Sequence, residues 1–365
     1  MKIAFVVQDL CGQGAQASTA ATIRELVKRG WAVDLLLSPV HDRKTASGIY
    51  AFPVPENVCI VKMPSSHARG NVFFLRSYLK QTDADVVVST SGPYHKCHAL
   101  AKFGIRNRHS IHVMMDHGNW FGKEKRWWGN FVNYRFDRHF FVNSVSRDNF
   151  LRQYPQFPKE NTHVVYNPCV DALFFSKLKS EPTHPWLKDK RVPTFISAGA
   201  FWEYKQQIVM LQAMNELRGK TDARLVLFGE GPLEPMFREY IKDHSLGDMV
   251  SIGGYSDNLP AEMAAADGYL MSSKTESFGI VIVEALAAGL HVISTDALYG
   301  PREILADGKY GDIVPVGDYR GMADKILDYV RSPRKGNPPE SWGRFTESSV
   351  VGYFMEGLGI FNSNK

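Results

Sequence analysis

Short apolar strands alternate with helical stretches along the chain, and this alternation restricts the fold more than any other feature. It begins with a β-type run at Lys2–Val7, a loop, a helical stretch from about Ala17 to Arg29, and a second strand at Trp31–Leu37. Further strands are predicted at Asp85–Ser89, Ser110–Met115 and His139–Val142. Short apolar runs rich in β-branched and aromatic residues are typical of buried parallel strands. The first half is therefore predicted to be a parallel-sheet α/β domain.

A second alternation follows residues 181–193, a segment of Pro, His, Lys and Asp that we interpret as a linker. Its strands are predicted at Thr194–Ser197, Arg224–Phe228, Val250–Ile252, Gly268–Met271 and His291–Ser294. After a Pro-rich break, an amphipathic helix over Thr346–Phe361 is expected to return to the first domain. The length of 365 residues suits two domains, which we place at 1–175 (with the helix at about 346–365) and at 190–340.

Composition narrows the functional classes. The net charge of +5 and the pI near 8.8 suit anionic small molecules or an anionic membrane surface, and no nucleic-acid motif is present, so we expect no nucleic-acid partner. No apolar run reaches membrane-spanning length, and the first ten residues lack the pattern of a signal peptide. The scattered cysteines, Cys11, Cys59, Cys97 and Cys169, fit reduced thiols. We therefore expect a cytoplasmic protein.

The most informative segment is KTESFGIVIVEALAAG, which places Glu276 eight residues before Glu284. A helix that begins near Phe278 would point free backbone N–H groups and the positive end of its dipole at a phosphate or pyrophosphate. Glu276 would lie in the loop before this anion site. Glu284 would lie about two turns along the helix, where a carboxylate accepts hydrogen bonds from sugar or ribose hydroxyls. Taken alone, the two glutamates also fit an amphipathic helix with a polar N-terminus.

The residues around these glutamates, TESFGIVIVEALAAG and then STDALYGPREILADGKYG, resemble the E-x7-E region of glycosyltransferase family 4. The resemblance spans nearly the whole chain. LCGQGAQASTAATIRELVKRGWAVDLL resembles the family's opening strand, glycine loop and helix, and FDRHFFVNSVSRDNFLRQYPQFPKENTHVVYNPCVD resembles its last N-domain strand and hinge approach, including Asn167 and Pro168. It implies the GT-B fold, two Rossmann-like domains facing each other across a cleft.

In the first domain the resemblance assigns roles to a glycine and a histidine. Gly14 takes the place of the glycine that lets the backbone approach the donor phosphate, while Gln16 replaces the family's usual glutamate. His117 matches the histidine that family members place against the donor sugar, although a lone histidine after a strand is commonly structural. Contacts to the acceptor are expected from the loops near Ser65–Asn71 and Ser91–His95.

In the second domain, SAGAFWEYKQ resembles the segment that supplies an arginine and a lysine to the donor diphosphate. Lys205 matches the lysine, but Ala200 stands in the place of the arginine and Gln206 in that of a glycine. The phosphate clamp is therefore expected to be weaker or differently built. FGEGP, which contains Glu230, resembles the family's G-x-G turn near the nucleotide, and Tyr255 falls beside the position of the base.

Three other patterns suggest different chemistry. The spacing of His95, Cys97, His98, His109 and His112 matches no standard zinc site, so no metal is expected. Gly12, Gly14 and Ala17 spell a short form of the dinucleotide fingerprint of oxidoreductases. The stretch Trp120–Phe141 carries basic and aromatic residues at near-helical spacing, which fits either contact with an anionic bilayer or packing of a helix against its own domain.

The resemblance implies a retaining, metal-independent transfer of a hexose or N-acetylhexosamine, with uridine diphosphate as the favoured carrier, to a glycan or a lipid-linked glycan. Glu276 would position the sugar hydroxyls, Glu284 the ribose and His117 the sugar from the opposite wall, and no protein nucleophile or cofactor is assigned. The leaving diphosphate would be met by Lys205 and by the backbone N–H groups of Ser277, Phe278, Gly279 and Ile280. The alternatives are an NAD(P)-dependent oxidoreductase and a nucleotide-sugar-binding protein without turnover, the latter favoured by Ala200. The expected location is the cytoplasm, with contact at the inner face of the membrane as a further expectation.

Overall fold

The structure is a computed structural model in which residues 1–10, 14–39, 52–105, 109–118, 126–189, 191–334 and 336–360 are described. The chain divides into two compact units. The first comprises Met1–Pro168 with Glu347–Lys365, and the second comprises Cys169–Thr346.

The first unit is built on a seven-stranded parallel sheet with the strand order β3-β2-β1-β4-β5-β6-β7. Its strands are β1 (Lys2–Val7), β2 (Ala32–Leu37), β3 (Cys59–Lys62), β4 (Val86–Ser89), β5 (Ile111–Asp116), β6 (Arg138–Phe141) and β7 (Thr162–Val164). The helices that connect them are α1 (Gly14–Lys28), α2 (Val72–Gln81), α3 (Gly92–Lys102), α4 (Arg126–Asn133) and α5 (Ser144–Gln153). Every residue of β4 is buried, as expected of a central parallel strand that helices cover on both faces.

The second unit has a six-stranded parallel sheet with the order β10-β9-β8-β11-β12-β13. Its strands are β8 (Thr194–Ala198), β9 (Arg224–Phe228), β10 (Val250–Gly254), β11 (Gly268–Met271), β12 (His291–Thr295) and β13 (Gly311–Val314). Its helices are α6 (Ala172–Lys177), α7 (Pro185–Lys188), α8 (Gln207–Leu217), α9 (Glu234–Asp243), α10 (Leu259–Ala265), α11 (Ile280–Ala287), α12 (Pro301–Ile304) and α13 (Tyr319–Arg331). Each unit is thus a Rossmann-like α/β domain, as predicted from the alternation of strands and helices.

The segment interpreted as a linker lies inside the second unit, and that interpretation was wrong. The backbone N–H and the hydroxyl of Thr183 both donate to Glu262 Oε1, and the N–H donor lies 2.9 Å from that oxygen. Glu262 is fully buried on α10, so a single carboxylate fixes the segment to the domain. The chain passes from one unit to the other at Pro168–Cys169. The polar composition reflects this hydrogen-bonded turn rather than a free connection.

The last described helix, α14 (Glu347–Gly357), belongs to the first unit and packs on α1. Arg24 Nη2 lies 2.6 Å from Glu347 Oε1, and Lys28 Nζ lies 3.4 Å from Glu347 Oε2. Phe354 is fully buried in the core of this unit, where its ring meets that of Phe140 edge to face at 5.2 Å. In the described part of the chain, none of the helices combines the length and the apolar character that crossing a bilayer would require.

Candidate active site

The loops after β8 and β11 meet at the point where the strand order of the second sheet reverses. Ser272 Oγ donates to the carbonyl of Lys205 at 2.8 Å, and the N–H of Lys274 donates to the carbonyl of Tyr204 at 2.8 Å. Open parallel sheets bind ligands outside the carboxyl ends of their strands at such a reversal. The two loops that carry Lys205 and Glu276 are therefore held together at the expected location of a ligand.

Lys205 and Glu276 form an ion pair at this junction. Lys205 Nζ lies 2.6 Å from Glu276 Oε1, and the hydroxyl of Ser273 donates to the same oxygen at 2.7 Å. Ser273 is buried, and its carbonyl accepts a 2.7 Å hydrogen bond from Thr295 Oγ1 on β12. The lysine and glutamate side chains keep 21% and 11% of their surface exposed, so a ligand can reach both of them.

The helix that was predicted to bind an anion at its N-terminal end begins two residues later than expected. Helix α11 starts at Ile280, and Gly279 precedes it in the left-handed region with φ 105°, a conformation that favours glycine. The side chain of Phe278 is buried, and its ring meets that of Phe345 at 5.5 Å. Phe278 is therefore a core residue that offers only its backbone to a ligand, whereas Ser277 is exposed. The N-terminal end of α11 still follows Glu276 directly.

At Gly300, the segment that follows β12 passes very close to the backbone of Phe278. A Cβ atom at Gly300 would lie 1.5 Å from the carbonyl oxygen of Phe278, so only glycine fits. The N–H of Glu276 donates to the carbonyl of Leu298 at 3.2 Å, two residues before Gly300. The segment after β12 therefore fixes the backbone of the loop that carries Glu276.

Glu284 lies on α11 and is half-buried. Burial and the nearby charge of Asp171 raise the pKa of Glu284 to about 7. Among the described residues, no hydrogen-bond partner of this carboxylate is found. Asp171 itself caps α6 by accepting from the N–H of Phe174 at 2.7 Å. Glu284 is thus available to accept hydrogen bonds from ligand hydroxyls.

The loop after β8 carries the two positions that depart from the family pattern, Ala200 and Gln206. Ala200 is exposed, and its carbonyl accepts from Gln207 Nε2 at 3.0 Å. Gln206 adopts a left-handed conformation with φ 49°, which explains why the family has glycine at this position. The described loop therefore supplies one cation, Lys205, where the family pattern has two.

Glu230 and Tyr255 follow β9 and β10 at the same edge of the sheet. The carbonyl of Glu230 accepts from the N–H of Phe201 at 2.9 Å, and the N–H of Gly229 donates to the carbonyl of Gly254 at 2.8 Å. The Glu230 side chain is exposed, and 52% of Tyr255 is exposed. The turn predicted near the nucleotide thus bridges its two neighbouring loops through backbone hydrogen bonds.

In the first unit, His117 follows β5 and is held by Asn167. His117 Nδ1 lies 3.0 Å from Asn167 Oδ1, which also accepts from Ser18 Oγ at 2.9 Å. Burial lowers the pKa of His117 to about 4, so the ring is neutral at physiological pH. Gly14 is the first residue of α1 and is exposed. The preceding Cys11 and Gly12, and with them the dinucleotide fingerprint, lie outside the described residues.

The histidines considered for zinc lie mainly in the core of this unit. His98 Nε2 lies 2.8 Å from His112 Nδ1, and both rings are buried. His95 Nδ1 lies 2.8 Å from Ser89 Oγ, and the exposed His109 has its Nε2 3.6 Å from Asp85 Oδ1. These rings pair with one another or with protein oxygens. Among the described residues, no three His, Cys, Asp or Glu side chains are grouped as metal ligands would be.

Comparisons with known proteins agree with this geometry. The model of Glycosyltransferase Family 4 matches residues 12–171, and that of Glycosyl transferases group 1 matches residues 181–348. The N-acetyl-alpha-D-glucosaminyl L-malate synthase of Bacillus anthracis is 25% identical over 316 residues, which cover 84% of this chain and 82% of the relative.

Two solved structures have the same fold. The UDP complex of Anabaena Alr3699/HepE superposes with a TM-score of 0.74 at 19% identity, covering 99% of this chain and 100% of the other. The apo form of the lipopolysaccharide outer core galactosyltransferase WaaB superposes with a TM-score of 0.76 at 17% identity, covering 98% and 99%. The fold and site define a glycosyltransferase with the GT-B fold. The chain belongs to glycosyltransferase family 4.

Several residues that shape the site were not predicted from the sequence. Ser273 lies three residues before Glu276 and could have been suspected from that spacing alone. Gly300 and Asp171 are distant in sequence from the groups that they affect, so no local pattern reveals them. Their roles depend on which loops the sheet brings together.

Proposed function

We propose that the protein transfers a hexose or N-acetylhexosamine from a UDP-sugar to a glycan or lipid-linked glycan, with retention of the anomeric configuration. The observation that carries the proposal is the Lys205–Glu276 ion pair of 2.6 Å, which lies directly before the N-terminal end of α11. The helix end attracts the diphosphate, and the ion pair supplies a cation for the phosphate and a carboxylate for the sugar.

Binding of the donor exchanges the partners of this ion pair. The diphosphate oxygens displace Glu276 as the partner of Lys205, and the released carboxylate accepts hydrogen bonds from the sugar hydroxyls. Ser273 keeps its hydrogen bond to Glu276 Oε1 and so limits the movement of that side chain. As the bond from the anomeric carbon to phosphate breaks, the charge that develops on the diphosphate is stabilised by Lys205 and by the backbone N–H groups before and within the first turn of α11.

Glu284 and His117 contribute to binding rather than to bond breaking. In the proposal, the ribose hydroxyls donate to the Glu284 carboxylate, for which no protein hydrogen-bond donor is found among the described residues. His117 Nε2 is buried and has no hydrogen-bond partner among the described residues, and we assign it to a hydroxyl of the transferred sugar. Tyr255 is exposed enough to stack on a base.

A thermal-shift comparison tests the choice of donor. We expect UDP at 100 times its dissociation constant to stabilise the fold by about 2.7 kcal/mol, because the ligand binds only the folded protein. GDP and ADP at the same concentration should give smaller shifts. The variant Lys205→Ala should lose most of the UDP shift, whereas Lys220→Ala, on the surface of the same unit, should keep it. A shift with NADH and none with UDP would favour the oxidoreductase alternative instead.

We also propose that the transfer retains the anomeric configuration and needs no metal ion, because Lys205 and the backbone N–H groups at α11 can meet the charge on the leaving diphosphate. Since no protein nucleophile is assigned, the acceptor hydroxyl attacks the anomeric carbon on the face that the phosphate leaves, and the departing phosphate oxygen takes its proton. We expect an α-linked donor to give an α-linked product, observable by the anomeric coupling constant in NMR spectra. We also expect an unchanged transfer rate in EDTA. A β-linked product would refute retention, and a rate lost in EDTA and restored by Mg²⁺ would refute metal independence.

A surface on the first unit supports contact with an anionic membrane. Of the stretch Trp120–Phe141, residues 120–125 lie outside the described part of the chain. On α4, Trp127 is 67% exposed, while Trp128 and Phe131 stack at 5.3 Å and are half-buried. The Arg135 guanidinium lies 5.0 Å from the ring centre of Phe103, which is 54% exposed. Exposed aromatic rings with adjoining cations are typical of surfaces that bind anionic lipid.

The same surface continues onto α2. Arg76 Nη1 donates to the carbonyl of Ala101 at 3.0 Å, and Phe73, three residues before it on the helix, is 86% exposed. We name Phe73, Arg76, Phe103, Trp127 and Arg135 the aromatic–basic surface. It would bring the enzyme to a lipid-linked acceptor.

Sedimentation with vesicles tests this surface. We expect binding to phosphatidylglycerol vesicles, weaker binding in high salt, and none to phosphatidylcholine alone. The double variant Phe73→Ser with Trp127→Ser should reduce the bound fraction at least tenfold, since each buried aromatic contributes roughly 1.5–3 kcal/mol. Met236→Ser, which removes an exposed apolar side chain from the second unit, serves as the control. Equal binding by the double variant would eliminate the proposal.

A further inference from the structure

Among the described residues, seven buried side-chain atoms of the first unit have no hydrogen-bond partner, and four of them lie at the ends of three neighbouring strands or in the segments that follow. They are Gln16 Oε1, Ser91 Oγ, Asp116 Oδ2 and His117 Nε2. The strands β1, β4 and β5 pair side by side in parallel, so the segments that follow them start from one edge of the sheet. The strand order reverses between β1 and β4, where sheets of this type bind ligands. A buried polar atom without a partner is costly, and a cluster of them indicates a ligand.

Ser91 occupies the N-cap position of α3 without capping the helix. Serine at this position normally accepts a hydrogen bond from a backbone N–H of the first turn. Here the backbone carbonyl of Ser91 accepts from the N–H groups of Tyr94 and His95 at 2.9 and 2.8 Å, and no side-chain capping bond forms. The hydroxyl is buried, and no residue in the described part of the chain forms a hydrogen bond with it.

Asp116 uses one carboxylate oxygen and leaves the other unpaired. Oδ1 accepts from the N–H of Gly118 at 2.9 Å, while Oδ2 is buried and finds no partner within the described ranges. The residue is 3% exposed, and burial raises the pKa of its carboxyl to about 7. A hydroxyl that donates to Oδ2 would remove this cost and favour the ionised form.

Asn167 connects Gln16 to this group. Its Oδ1 accepts from Ser18 Oγ on α1 and faces His117 Nδ1 at the end of β5, so the first turns of α1 lie beside the end of β5. Gln16 lies in the first turn of α1, two residues before Ser18, with Oε1 buried and unpaired. Because Nδ1 faces an amide oxygen, it carries the ring proton of His117, and Nε2 is left as a hydrogen-bond acceptor.

We propose that Gln16, Ser91 and Asp116 select an uncharged, hydroxyl-rich acceptor by accepting hydrogen bonds from its hydroxyl groups beside His117. The unpaired atoms of these three side chains are an amide oxygen, a carboxylate oxygen and one hydroxyl, and only the hydroxyl can donate. Carboxylate and phosphate groups bring no proton to such acceptors, whereas a sugar brings several. The site therefore takes a sugar in preference to a hydroxydicarboxylic acid. This inference rests on the proposed function only in naming the ligand as the acceptor.

Saturation-transfer NMR in the presence of UDP tests this selection. The probes are the methyl α-glycosides of glucose, galactose and N-acetylglucosamine, with L-malate as the anionic comparison at the same concentration. We expect saturation of at least one glycoside and none of malate. Binding of malate without binding of any glycoside, or no binding of any probe, would overturn the proposal.

Two variants locate the effect. Ser91→Ala removes a hydroxyl that bonds to nothing in the protein, so the fold should keep its stability while glycoside affinity falls roughly three- to tenfold. Asp116→Asn keeps the acceptor for Gly118 but turns Oδ2 into a donor, which should lower glycoside affinity at least tenfold, in line with a bond to a charged group. Ser341→Ala, at a buried and equally unpaired serine of the second unit, is the matched control.

The thermal shift with UDP separates this inference from the proposed function. All three variants should keep the wild-type UDP shift, because their side chains are not part of the donor site. Wild-type glycoside affinity in both Ser91→Ala and Asp116→Asn would refute the acceptor site while leaving the transferase proposal intact. A wild-type protein that binds glycosides but not UDP would refute the proposed donor and leave this site standing.

Discussion

Replacing Glu276 by Gln is expected to lower kcat for sugar transfer roughly 10²–10³-fold while UDP binds at least as tightly as before. The amide keeps the shape of the side chain and an oxygen for the Ser273 hydroxyl, which donates at 2.7 Å in the wild type. It loses the charge that pairs with Lys205 at 2.6 Å, so the lysine no longer has to leave a carboxylate when the diphosphate arrives. The loss therefore falls on the step in which the sugar is positioned and transferred.

Steady-state kinetics and calorimetry of UDP binding measure the two effects separately. Lys205→Ala should behave differently, because this substitution should weaken UDP binding as well as lower kcat. Glu234→Gln is the matched control, because Glu234 also pairs with a cation, Arg238 at 2.7 Å, but on the exposed surface of α9. A kcat for Glu276→Gln within threefold of the wild-type value, or a loss of UDP affinity equal to that of Lys205→Ala, would remove Glu276 from the proposed mechanism.

The strand pattern could be predicted from sequence because buried parallel strands consist of short apolar runs. Predicted β1, β9 and β11 match the structure at both ends. The strands that were missed, β3, β7 and β13, are all edge strands of their sheets, and β3 is mostly exposed. Edge strands need less apolar character than central ones, so their composition resembles that of loops.

The site was predicted where its chemistry is local in sequence and missed where it depends on tertiary packing. Glu276, Gly279 and the start of α11 lie in one segment, so a single stretch of sequence reveals their arrangement. The start was placed two residues too early because Ser277 and Phe278 look like the first turn of a helix, whereas Gly279 must first turn the chain with φ 105°. Asp116 was passed over because its neighbour His117 matches the family pattern and an aspartate after a strand is common.

The pairing of Lys205 with Glu276 is also invisible in the sequence, since 71 residues separate them. It changes how the missing arginine at Ala200 is understood. The remaining cation is already neutralised by a carboxylate when no donor is bound, so donor binding must break one ion pair to make another. This exchange makes the affinity for the diphosphate depend on Glu276, which explains why the two substitutions above are expected to separate binding from transfer.

Acidification below pH 6.5 is expected to unfold the first unit steeply. Burial holds the pKa of His95 and His139 at about 3 and that of His112 and His117 at about 4, and places that of His98 well below its usual value. These rings stay neutral in the folded protein but take up protons in the unfolded chain below about pH 6.5, so stability is lost as pH falls. Asp116, with its pKa raised to about 7, acts in the opposite direction and cancels one proton. The net uptake approaches four protons only near pH 5.5, where the unfolded rings are largely protonated, and the loss there is roughly 5 kcal/mol per pH unit, comparable to the whole stability of many domains. Denaturant titrations at pH 7.5, 6.5, 6.0 and 5.5, which roughly span this range, measure how the free energy of unfolding changes with pH.

In the double variant His98→Leu with His112→Leu, this pH dependence should correspond to about two fewer protons, whatever the stability at neutral pH. The variant of an exposed histidine, His67→Asn, should keep the wild-type pH dependence. A wild-type stability that stays flat from pH 6.5 to 5.5, or an unchanged slope in the double variant, would contradict the neutral state assigned to these buried rings.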